Sequence, residues 1–417
     1  MSPTLAPTPT RHELAPTNDV ARSLAPRVED ALLSAERPWS SMRVALAGGG
    51  TGGHIVPGRH LLSHTHQDLG DVLWFCTGRP VESKAFAGLE HELGKVPMAR
   101  VALSLEPDGG GAPSLARLAL RSLPCYRKAL RELRDHRTQL VLGLGGFTCL
   151  PVVLAAWSLK LPIALLEINA AKGRATRSLA PLATRVFHAW RGTLPGGRES
   201  ERDLWTGPPL APSFAAGAIG EGEAQRARSQ IGFDAQRPLV LILGGSQGAG
   251  ALNRFVATHV DEFLRRGVQV LHQTGPGRLD QGAPEKSGYR KLEFVVDVHT
   301  ALSAATLVLC RGGASTLAEV AAMRRAAWVV PYPHHKDQHQ RKNALELGAG
   351  VQIVEEERLS KDLACELVQK TTPTGLSELE RRSAALAQAM ALDGAQRIWS
   401  ELVKVVALGR RESRANS

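Results

Sequence analysis

Short apolar runs alternate with longer amphipathic segments along most of the chain. Four of these runs contain almost no polar residue, and they lie at residues 42–47, 140–144, 163–166 and 238–243. Such runs are typical of strands that are buried on both faces of a parallel sheet. Residues 250–264 instead repeat their apolar positions with helical spacing. The alternation predicts an α/β fold, with further strands at residues 72–77, 185–188, 268–273, 294–296, 306–310 and 327–330.

Two glycine-rich turns stand where a predicted strand is followed by a helix. GGGTGGH occupies residues 48–54, and GGSQGA occupies residues 244–249. A strand, a glycine turn and a helix in this order direct free backbone N–H groups towards an anion. One such turn often serves tight geometry alone. Two of them, roughly two hundred residues apart, indicate two Rossmann-like domains that face a central cleft.

The length of the chain, 417 residues, also exceeds that of one ordinary domain. The segment TGPP at residues 206–209 breaks regular structure and marks the crossing between the two domains. We predict a disordered N-terminal extension (residues 1–41), an N-terminal domain (42–205), a C-terminal domain (206–390), and a C-terminal helix and tail (391–417). A return of the last helix to the N-terminal domain is one option for its packing.

Composition narrows the class of partner. The formal net charge of +11 favours anionic partners such as nucleic acid, acidic lipid or phosphorylated substrates. Aromatic residues make up only 5% of the chain, which argues against base-stacking surfaces. Five scattered cysteines without a C-x-x-C motif are typical of a reducing cytosol and predict no zinc site. Because no apolar run reaches about eighteen residues, no transmembrane helix is predicted.

A basic amphipathic segment at residues 114–137 has two interpretations. Its seven arginines and lysines outnumber its two acidic residues by five, and its leucines share one helical face, interrupted by Pro124. Such a segment can lie on an anionic membrane surface with its apolar side in the interface. It can equally be an ordinary surface helix that packs on its own sheet.

Two ionisable residues stand near the starts of predicted helices. His54 ends the first glycine turn and is a candidate general base, although a single histidine more often has a structural role. Glu319 lies one turn into the helix that follows RGGAST at residues 311–316. Its carboxylate can accept both hydroxyls of a ribose, or it can simply be favoured by the helix dipole. The glycines of this motif permit close approach of a ligand, and Thr316 adds a donor.

Polar residues also follow other predicted strands. Glu167 and Asn169 come after the strand at residues 163–166, at the sheet edge where polar groups tend to be functional. The loop at residues 333–340 contains three histidines, which suggests a metal site, but a lysine lies among them. Contacts with a sugar are the better interpretation, from Asp337, His339 and Gln340.

Together these motifs resemble the MurG family of N-acetylglucosaminyltransferases, which convert lipid I into lipid II in peptidoglycan synthesis. The resemblance runs in the expected order from about residue 42 to about residue 350. It rests on GGGTGGHIVPG (48–58), LGLGGFTCLPVVLAAWSL (142–159), LEINAAKGRATR (166–177), LGGSQGAGALN (243–253), CRGGASTLAEVA (310–321) and PYPHHKDQHQRKNA (331–344). Each glycine turn is weak evidence alone, but the combination is specific.

The resemblance implies a fold of the glycosyltransferase B type, no cofactor, and no metal in catalysis. The C-terminal domain is expected to bind the donor UDP-N-acetylglucosamine (UDP-GlcNAc), through Ser246, Gln247, Val295 beside uracil, Arg311, Ala314, Ser315, Thr316, Glu319 on the ribose, and Asp337, His339 and Gln340 on the sugar. The N-terminal domain is expected to meet the acceptor lipid I and the membrane. Its expected site residues are Thr51, Gly52, Gly53, Glu167 and Asn169, with His54 as the catalytic base.

The chain departs from the family pattern at two places. Where the family has His-Glu-Gln-Asn, residues 166–169 read Leu-Glu-Ile-Asn, so two polar groups are missing. Where the family has Gly-Asn-Pro-Val-Arg, residues 207–211 read Gly-Pro-Pro-Leu-Ala, which removes an arginine expected near the donor diphosphate. Either Arg311 or helix N-termini compensate for this arginine, or the activity is reduced or altered.

The expected function is an inverting transfer of N-acetylglucosamine from UDP-GlcNAc to the 4-hydroxyl of the N-acetylmuramoyl unit of lipid I. The expected location is the cytoplasmic face of the bacterial inner membrane, whose anionic surface would be a partner. Cell-wall synthesis and division proteins are candidate partners, and nucleic acid is not expected. The alternatives are a glycosyltransferase with another lipid or small-molecule acceptor, a non-catalytic scaffold that retains the fold, and a nucleic-acid binder suggested only by net charge.

Overall fold

The computed structural model describes residues 41–50, 52–105, 115–335 and 337–415, without the side chains of residues 81, 115–121 and 410–415. The predicted extension at residues 1–41 therefore lies outside the described part except for Ser41. Thr51, a predicted site residue, also lies outside it.

The first part of the chain forms a parallel sheet of seven strands in the order β3-β2-β1-β4-β5-β6-β7. The strands are β1 (Met42–Gly48), β2 (Leu69–Cys76), β3 (Met98–Ala102), β4 (Leu140–Gly145), β5 (Ile163–Glu167), β6 (Arg185–His188) and β7 (Asp203–Trp205). The strand order reverses direction between β1 and β4, which is where parallel α/β sheets open a crevice at their carboxyl ends. The first glycine turn follows β1 and therefore lies at this crevice.

Helices cover both faces of this sheet. They are α1 (Gly52–Thr65), α2 (Pro80–Phe86), α3 (Leu89–Leu93), α4 (Leu115–Asp135), α5 (Cys149–Ser158) and α6 (Arg174–Leu179). The basic amphipathic segment forms α4, which continues through Pro124. In its described half, Cys125, Ala129 and Leu133 are buried against the sheet. This part of α4 is therefore a surface helix that packs on its own sheet, and its basic side chains face outwards.

The second part forms a parallel sheet of six strands in the order β10-β9-β8-β11-β12-β13. Its strands are β8 (Leu239–Leu243), β9 (Gln269–Gln273), β10 (Tyr289–Leu292), β11 (Leu307–Cys310), β12 (Ala327–Val329) and β13 (Val351–Ile353). Its helices are α7 (Glu221–Gln230), α8 (Gly250–Arg265), α9 (Val298–Ala304), α10 (Ala314–Ala322), α11 (His339–Glu346), α12 (Lys361–Lys370) and α13 (Pro373–Ala389). The two parallel sheets confirm the predicted α/β fold with two Rossmann-like units.

The predicted strand at residues 294–296 is wrong. The strand in this region is β10, Tyr289–Leu292, and residues 294–296 follow it as irregular chain. The sequence of β10 is YRKL, in which only Tyr289 is fully buried. Because β10 is an edge strand, it carries charged side chains that hide it from a search for apolar runs.

The last helix, α14 (Gly394–Ala415), returns to the first sheet. Its apolar side contributes Ala395, Ile398 and Leu402 to the core around β1 and α1. The chain crosses between the two sheets twice, once near Pro208 and once near Gly394. The two crossings lie side by side, since a Cβ atom on Gly394 would lie 2.5 Å from the carbonyl oxygen of Pro208. The residue boundaries of the four predicted parts stay predictions.

Candidate active site

The two glycine turns face each other across the space between the sheets. A Cβ atom placed on Gly52 would lie 3.8 Å from the Cβ atom of Ser246 and 3.9 Å from its Oγ. Gly52 begins α1, and Ser246 lies in the turn between β8 and α8. Gly53 and Gln247, beside them, are exposed. The structure thus brings four predicted site residues together at the carboxyl ends of both sheets.

The first turn fixes the ring of His54. Its Nδ1 lies 3.1 Å from the carbonyl oxygen of Gly49. A carbonyl only accepts hydrogen bonds, so Nδ1 carries the proton of the neutral ring and Nε2 carries the lone pair. The ring lies against Gly145 and Gly146, where added Cβ atoms would approach it to 2.9 Å and 3.2 Å. Both glycines have positive φ angles, 105° and 81°, so only glycine fits under the ring without strain.

A buried carboxylate that the sequence analysis missed supports the first turn. Glu82, in α2, accepts hydrogen bonds from the backbone N–H groups of Gly50 at 2.5 Å and Gly78 at 2.7 Å, and from the Thr77 hydroxyl at 2.8 Å. Desolvation acts to raise the pKa of Glu82, but these hydrogen bonds outweigh it, so the pKa is lowered and the group stays charged. Its only sequence signal was a glutamate in the first turn of a helix, which is common.

The second turn is joined to the end of β9. Gly248 has a φ of 72°, and a Cβ atom there would lie 2.1 Å from the carbonyl oxygen of Thr274. Gln273 donates to the carbonyl oxygen of Gly245 at 2.8 Å and accepts from the N–H of Val295 at 3.3 Å. The Val295 side chain is itself buried in the core. A contact between this side chain and uracil, as predicted, would therefore require movement, whereas the next side chain, Val296, is exposed.

Glu319 lies in a narrow cavity between the two sheets. Ala314, Ser315 and Glu319 of α10 line one side of the cavity, and His60 of α1 lines the other. No described residue donates a hydrogen bond to the Glu319 carboxylate or forms an ion pair with it. Burial raises its pKa from 4.5 to about 8. Glu319 is half-buried and has no partner among the described residues, so its carboxyl group is suited to accept hydroxyl groups of a ligand.

Two histidines of α1 hold the crossing between the sheets. His60 Nδ1 lies 3.2 Å from the carbonyl oxygen of Pro209, and His64 Nε2 lies 2.9 Å from that of Leu210. Burial lowers the pKa of His60 to about 4, so its ring is neutral. The helix that begins next to the first glycine turn is therefore tied directly to the crossing.

An asparagine that the sequence analysis did not single out bridges the two units. Asn343 of α11 accepts from the N–H of Ala170 at 2.7 Å and donates to the carbonyl oxygen of Gly312 at 3.0 Å. Its amide also lies 3.3 Å from Oδ1 of Asn169, so the predicted site residue Asn169 does reach the second unit. The carboxylate of Glu167 does not, because it accepts the N–H groups of Asn169 and Gly173 within its own loop.

The Arg311 guanidinium is held by contacts within the second unit. It donates to the carbonyl oxygens of Val330 and Pro331 at 3.0 Å and 3.3 Å, and it forms an ion pair with Glu356 at 2.6 Å. The side chain is 8% exposed. The suggestion that Arg311 replaces the missing arginine at position 211 is therefore not supported by this arrangement, because its charge is already neutralised inside the second unit.

The polar loop before α11 is ordered by its own side chains. Asp337 Oδ1 lies 2.8 Å from Nδ1 of His339, whose ring stacks on His335 with ring centres 4.4 Å apart. Gln340 accepts from the N–H groups of Gly312 at 3.3 Å and Tyr332 at 2.9 Å. These bonds fix the Gln340 amide with its NH₂ group unused by any described residue. Within the described part of the chain, no group of three or more His, Cys, Asp or Glu side chains could hold a metal ion.

None of the helices described here, including α4, is both long and apolar enough to cross a membrane. Exposed apolar side chains do occur near the basic face of α4. Leu123 on this helix is 50% exposed, and Trp157 on the neighbouring α5 is 58% exposed. The hydroxyl of Tyr126 donates to Ser158 at 2.9 Å, which holds these two helices together at this point.

Two parallel sheets whose glycine turns meet across a cleft define the fold of the glycosyltransferase B type. The fold agrees with that of MurG from Acinetobacter baumannii, with a TM-score of 0.64 and 24% identity over 88% of this chain and 99% of that one. It also agrees with the calicheamicin glycosyltransferase CalG4, with a TM-score of 0.60 and 16% identity over 89% of this chain and 99% of that one. These likenesses concern the fold alone.

Sequence comparisons identify the family. Residues 44–188 match the N-terminal domain of glycosyltransferase family 28, and residues 239–398 match its C-terminal domain. A protein from Nitrosococcus oceani is 37% identical over 78% of this chain and 89% of its own length, and one from Paenarthrobacter aurescens is 33% identical over 85% and 93%. Both are named UDP-N-acetylglucosamine–N-acetylmuramyl-(pentapeptide) pyrophosphoryl-undecaprenol N-acetylglucosamine transferase. The chain belongs to glycosyltransferase family 28 and, within it, to the MurG family, as its motifs predicted.

Proposed function

We propose that this protein transfers N-acetylglucosamine from UDP-GlcNAc to the 4-hydroxyl of the N-acetylmuramoyl unit of lipid I, giving lipid II with inversion at the anomeric carbon. Family membership supports the choice of donor and acceptor. The observation that carries the proposal for this chain is the approach of Gly52 to Ser246, with His54 on the first turn of the same helix. A donor sugar beside the two turns would have a base on the side of the first unit and its diphosphate on the side of the second unit.

The second unit supplies the donor site in this proposal. The exposed turn around Ser246 and Gln247 receives the diphosphate, and Glu319 accepts the ribose hydroxyls. Ala314, Ser315 and Thr316 at the start of α10 lie beside the nucleotide. Asp337, His339 and Gln340 contact the sugar. The unused NH₂ group of Gln340 is a preorganised donor for a sugar oxygen, because two backbone N–H groups hold its carbonyl end.

The first unit supplies the base. The 4-hydroxyl oxygen of the acceptor attacks the anomeric carbon as the bond from that carbon to the β-phosphate oxygen breaks. Nε2 of His54 takes the hydroxyl proton, because the hydrogen bond from Nδ1 to Gly49 leaves its lone pair on Nε2. The electron pair of the broken bond stays on the departing UDP. Preorganised donors at such a developing charge lower the barrier by several kcal/mol, about 3 to 4 for one well-placed donor.

The acceptor remains anchored in the lipid bilayer, so the enzyme must reach the membrane surface. We propose that the outward face of α4 and the C-terminal end of α5 make this contact, on the cytoplasmic side of the inner membrane. Leu123 and Trp157 are exposed apolar groups there, and Arg127, Lys128 and Arg131 are exposed cations. Such a combination binds anionic lipid through both apolar burial and charge.

The proposal is tested with the full chain, a lipid I analogue and three donors, which are UDP-GlcNAc, UDP-glucose and UDP-GalNAc. We expect product only, or at least tenfold faster, with UDP-GlcNAc, and a β-linked disaccharide in its mass and NMR spectra. Transfer to water or to a diacylglycerol, but not to the lipid I analogue, would contradict the assigned acceptor. Binding of UDP without any transfer would favour the non-catalytic scaffold.

A further inference from the structure

We infer that Arg254 and Arg278 together bind the diphosphate of the nucleotide donor and supply the positive charge that position 211 lacks. The inference rests on the proposed function and adds two binding residues to it. Position 211 is alanine, and the guanidinium of Arg311 is paired with Glu356. A cation for the diphosphate would therefore come from another part of the second unit.

The two arginines converge on one point beside the second glycine turn. Nη1 of Arg254 lies 3.4 Å from the position of a Cβ atom built on Gly250, and Nη1 of Arg278 lies 4.0 Å from the same position. They reach it from different elements, Arg254 from the second turn of α8 and Arg278 from the loop that follows β9. Because residue 250 is glycine, no side chain separates the two guanidinium groups.

No described residue forms an ion pair with either guanidinium, although Glu356 and Glu357 line the same surface hollow as Arg254. Arg254 and Arg278 form no ion pair and no side-chain hydrogen bond with any residue of the described ranges. Many other arginines of the second unit are paired, including Arg265 with Glu262 and Arg382 with Glu378. Two neighbouring cations without a carboxylate between them repel each other, and an anion placed between them removes that repulsion. Guanidinium groups also match phosphate oxygens in geometry and bind them through two parallel hydrogen bonds.

The position of this pair fits the donor. Gly250 directly follows the turn whose Ser246 faces Gly52 across the cleft. The loop that carries Arg278 is packed on that turn, since a Cβ atom on Gly275 would lie 2.5 Å from the Cα atom of Gly248. Arg278 also donates its backbone N–H to Gly275 at 3.2 Å. The arginine pair therefore lies beside the glycine turn that receives the diphosphate in the proposed function.

The test compares UDP with uridine, which lacks phosphate, by calorimetry on the full chain at low ionic strength. The variants are R254Q, R278Q, the double variant, and R266Q as a control. Arg266 is an exposed arginine directly after the opposite end of α8, and its charge acts on the carboxylate of Glu262. We expect the double variant to bind UDP at least tenfold more weakly, with a smaller dependence on salt, and each single variant to show part of this loss. R266Q should bind UDP as the wild type does, and uridine binding should be unchanged in all variants.

Two results would overturn the inference. In the first, the double variant binds UDP within twofold of the wild type at the same ionic strength. In the second, uridine binding falls in parallel with UDP binding, which would mean that the substitutions disturb the nucleoside site instead of the phosphate site. A wild-type protein that binds neither UDP nor UDP-GlcNAc would overturn the proposed function itself, and that result is visible before any variant is made.

Discussion

Binding of UDP-GlcNAc should release a proton from Glu319. Burial raises the pKa of this carboxyl group to about 8, and no described residue pairs with it. If ribose hydroxyl groups donate to it, they stabilise its ionised form and lower its pKa in the complex. The donor therefore binds better once Glu319 is ionised, and its affinity should rise with pH. UDP-GlcNAc is the right ligand for this test because its diphosphate has no terminal phosphate that titrates near neutral pH.

The size of the effect follows from the pKa. At pH 7 a group with a pKa near 8 is about nine-tenths protonated, so each binding event should release about 0.9 proton. If the pKa in the complex lies below 6, affinity follows the ionised fraction and rises about 50-fold between pH 6 and pH 8. In the protein without donor, Glu319 makes the free energy of unfolding change with pH in the opposite direction to the donor affinity. Between pH 4.5 and pH 8 the folded state keeps a proton that the unfolded state has released, so the free energy of unfolding falls as pH rises.

Calorimetry in buffers with different ionisation enthalpies measures the proton release directly. The matched variant is E319Q, whose amide keeps the shape of the side chain and can still accept a hydroxyl, but cannot titrate. We expect E319Q to release no proton on binding UDP-GlcNAc and to show a flat affinity profile from pH 6 to pH 8. If wild-type protein and E319Q release equal numbers of protons, or if wild-type affinity does not change with pH, Glu319 does not bind the ribose as a carboxylate.

Four further predictions concern the rest of the site. H54A should lower kcat by at least 100-fold while UDP binding is retained, and a variant within tenfold of wild type would remove His54 from the role of base. Transfer should persist in EDTA, and a loss of activity that added Mg²⁺ restores would reject catalysis without a metal. N343L should lower the free energy of unfolding by about 1 to 3 kcal/mol in urea titrations, because it leaves the N–H of Ala170 and the carbonyl of Gly312 without their partner, and an unchanged midpoint would contradict the bridge. Replacing both Leu123 and Trp157 by serine should weaken flotation with anionic vesicles at least several-fold without changing UDP affinity, and unchanged flotation would place the membrane contact elsewhere.

The sequence predicted the parts of the site that one short motif contains. Ser246 lies in the turn after a buried strand, and Gly52 and His54 begin the helix after such a turn. A strand followed by a glycine turn has few conformations available. Elements of the second unit were also predictable where the spacing of apolar residues changes clearly along the chain. Examples are the helix that begins at Gly250 and the strand that begins at Leu307. Edge strand β10 was not, since its charged residues contain no apolar run.

The bonds that hold the site together were not predictable, because their partners are far apart in the sequence. Glu82 supports a turn that lies 32 residues before it, and Asn343 binds a loop that lies 173 residues before it. Each looks like an ordinary polar residue of a helix until the fold brings its partner close. The residues of a motif are therefore close together in the sequence, whereas the residues that hold the motif in place by hydrogen bonds are not.

Arg311 shows how this difference affects inference from motifs. It stands next to the glycines of a nucleotide-binding motif, so its position in the sequence suggested a phosphate ligand. Glu356, 45 residues later, lies in the fold 2.6 Å from its guanidinium and neutralises it. Arg254 and Arg278 differ from Arg311 in both respects. Neither belongs to a recognised motif, and neither forms an ion pair with a described residue. If the reaction needs positive charge near the diphosphate, the cations that the fold leaves without a carboxylate partner are the ones that can supply it. R311Q should therefore lower the free energy of unfolding and leave the affinity for UDP nearly unchanged.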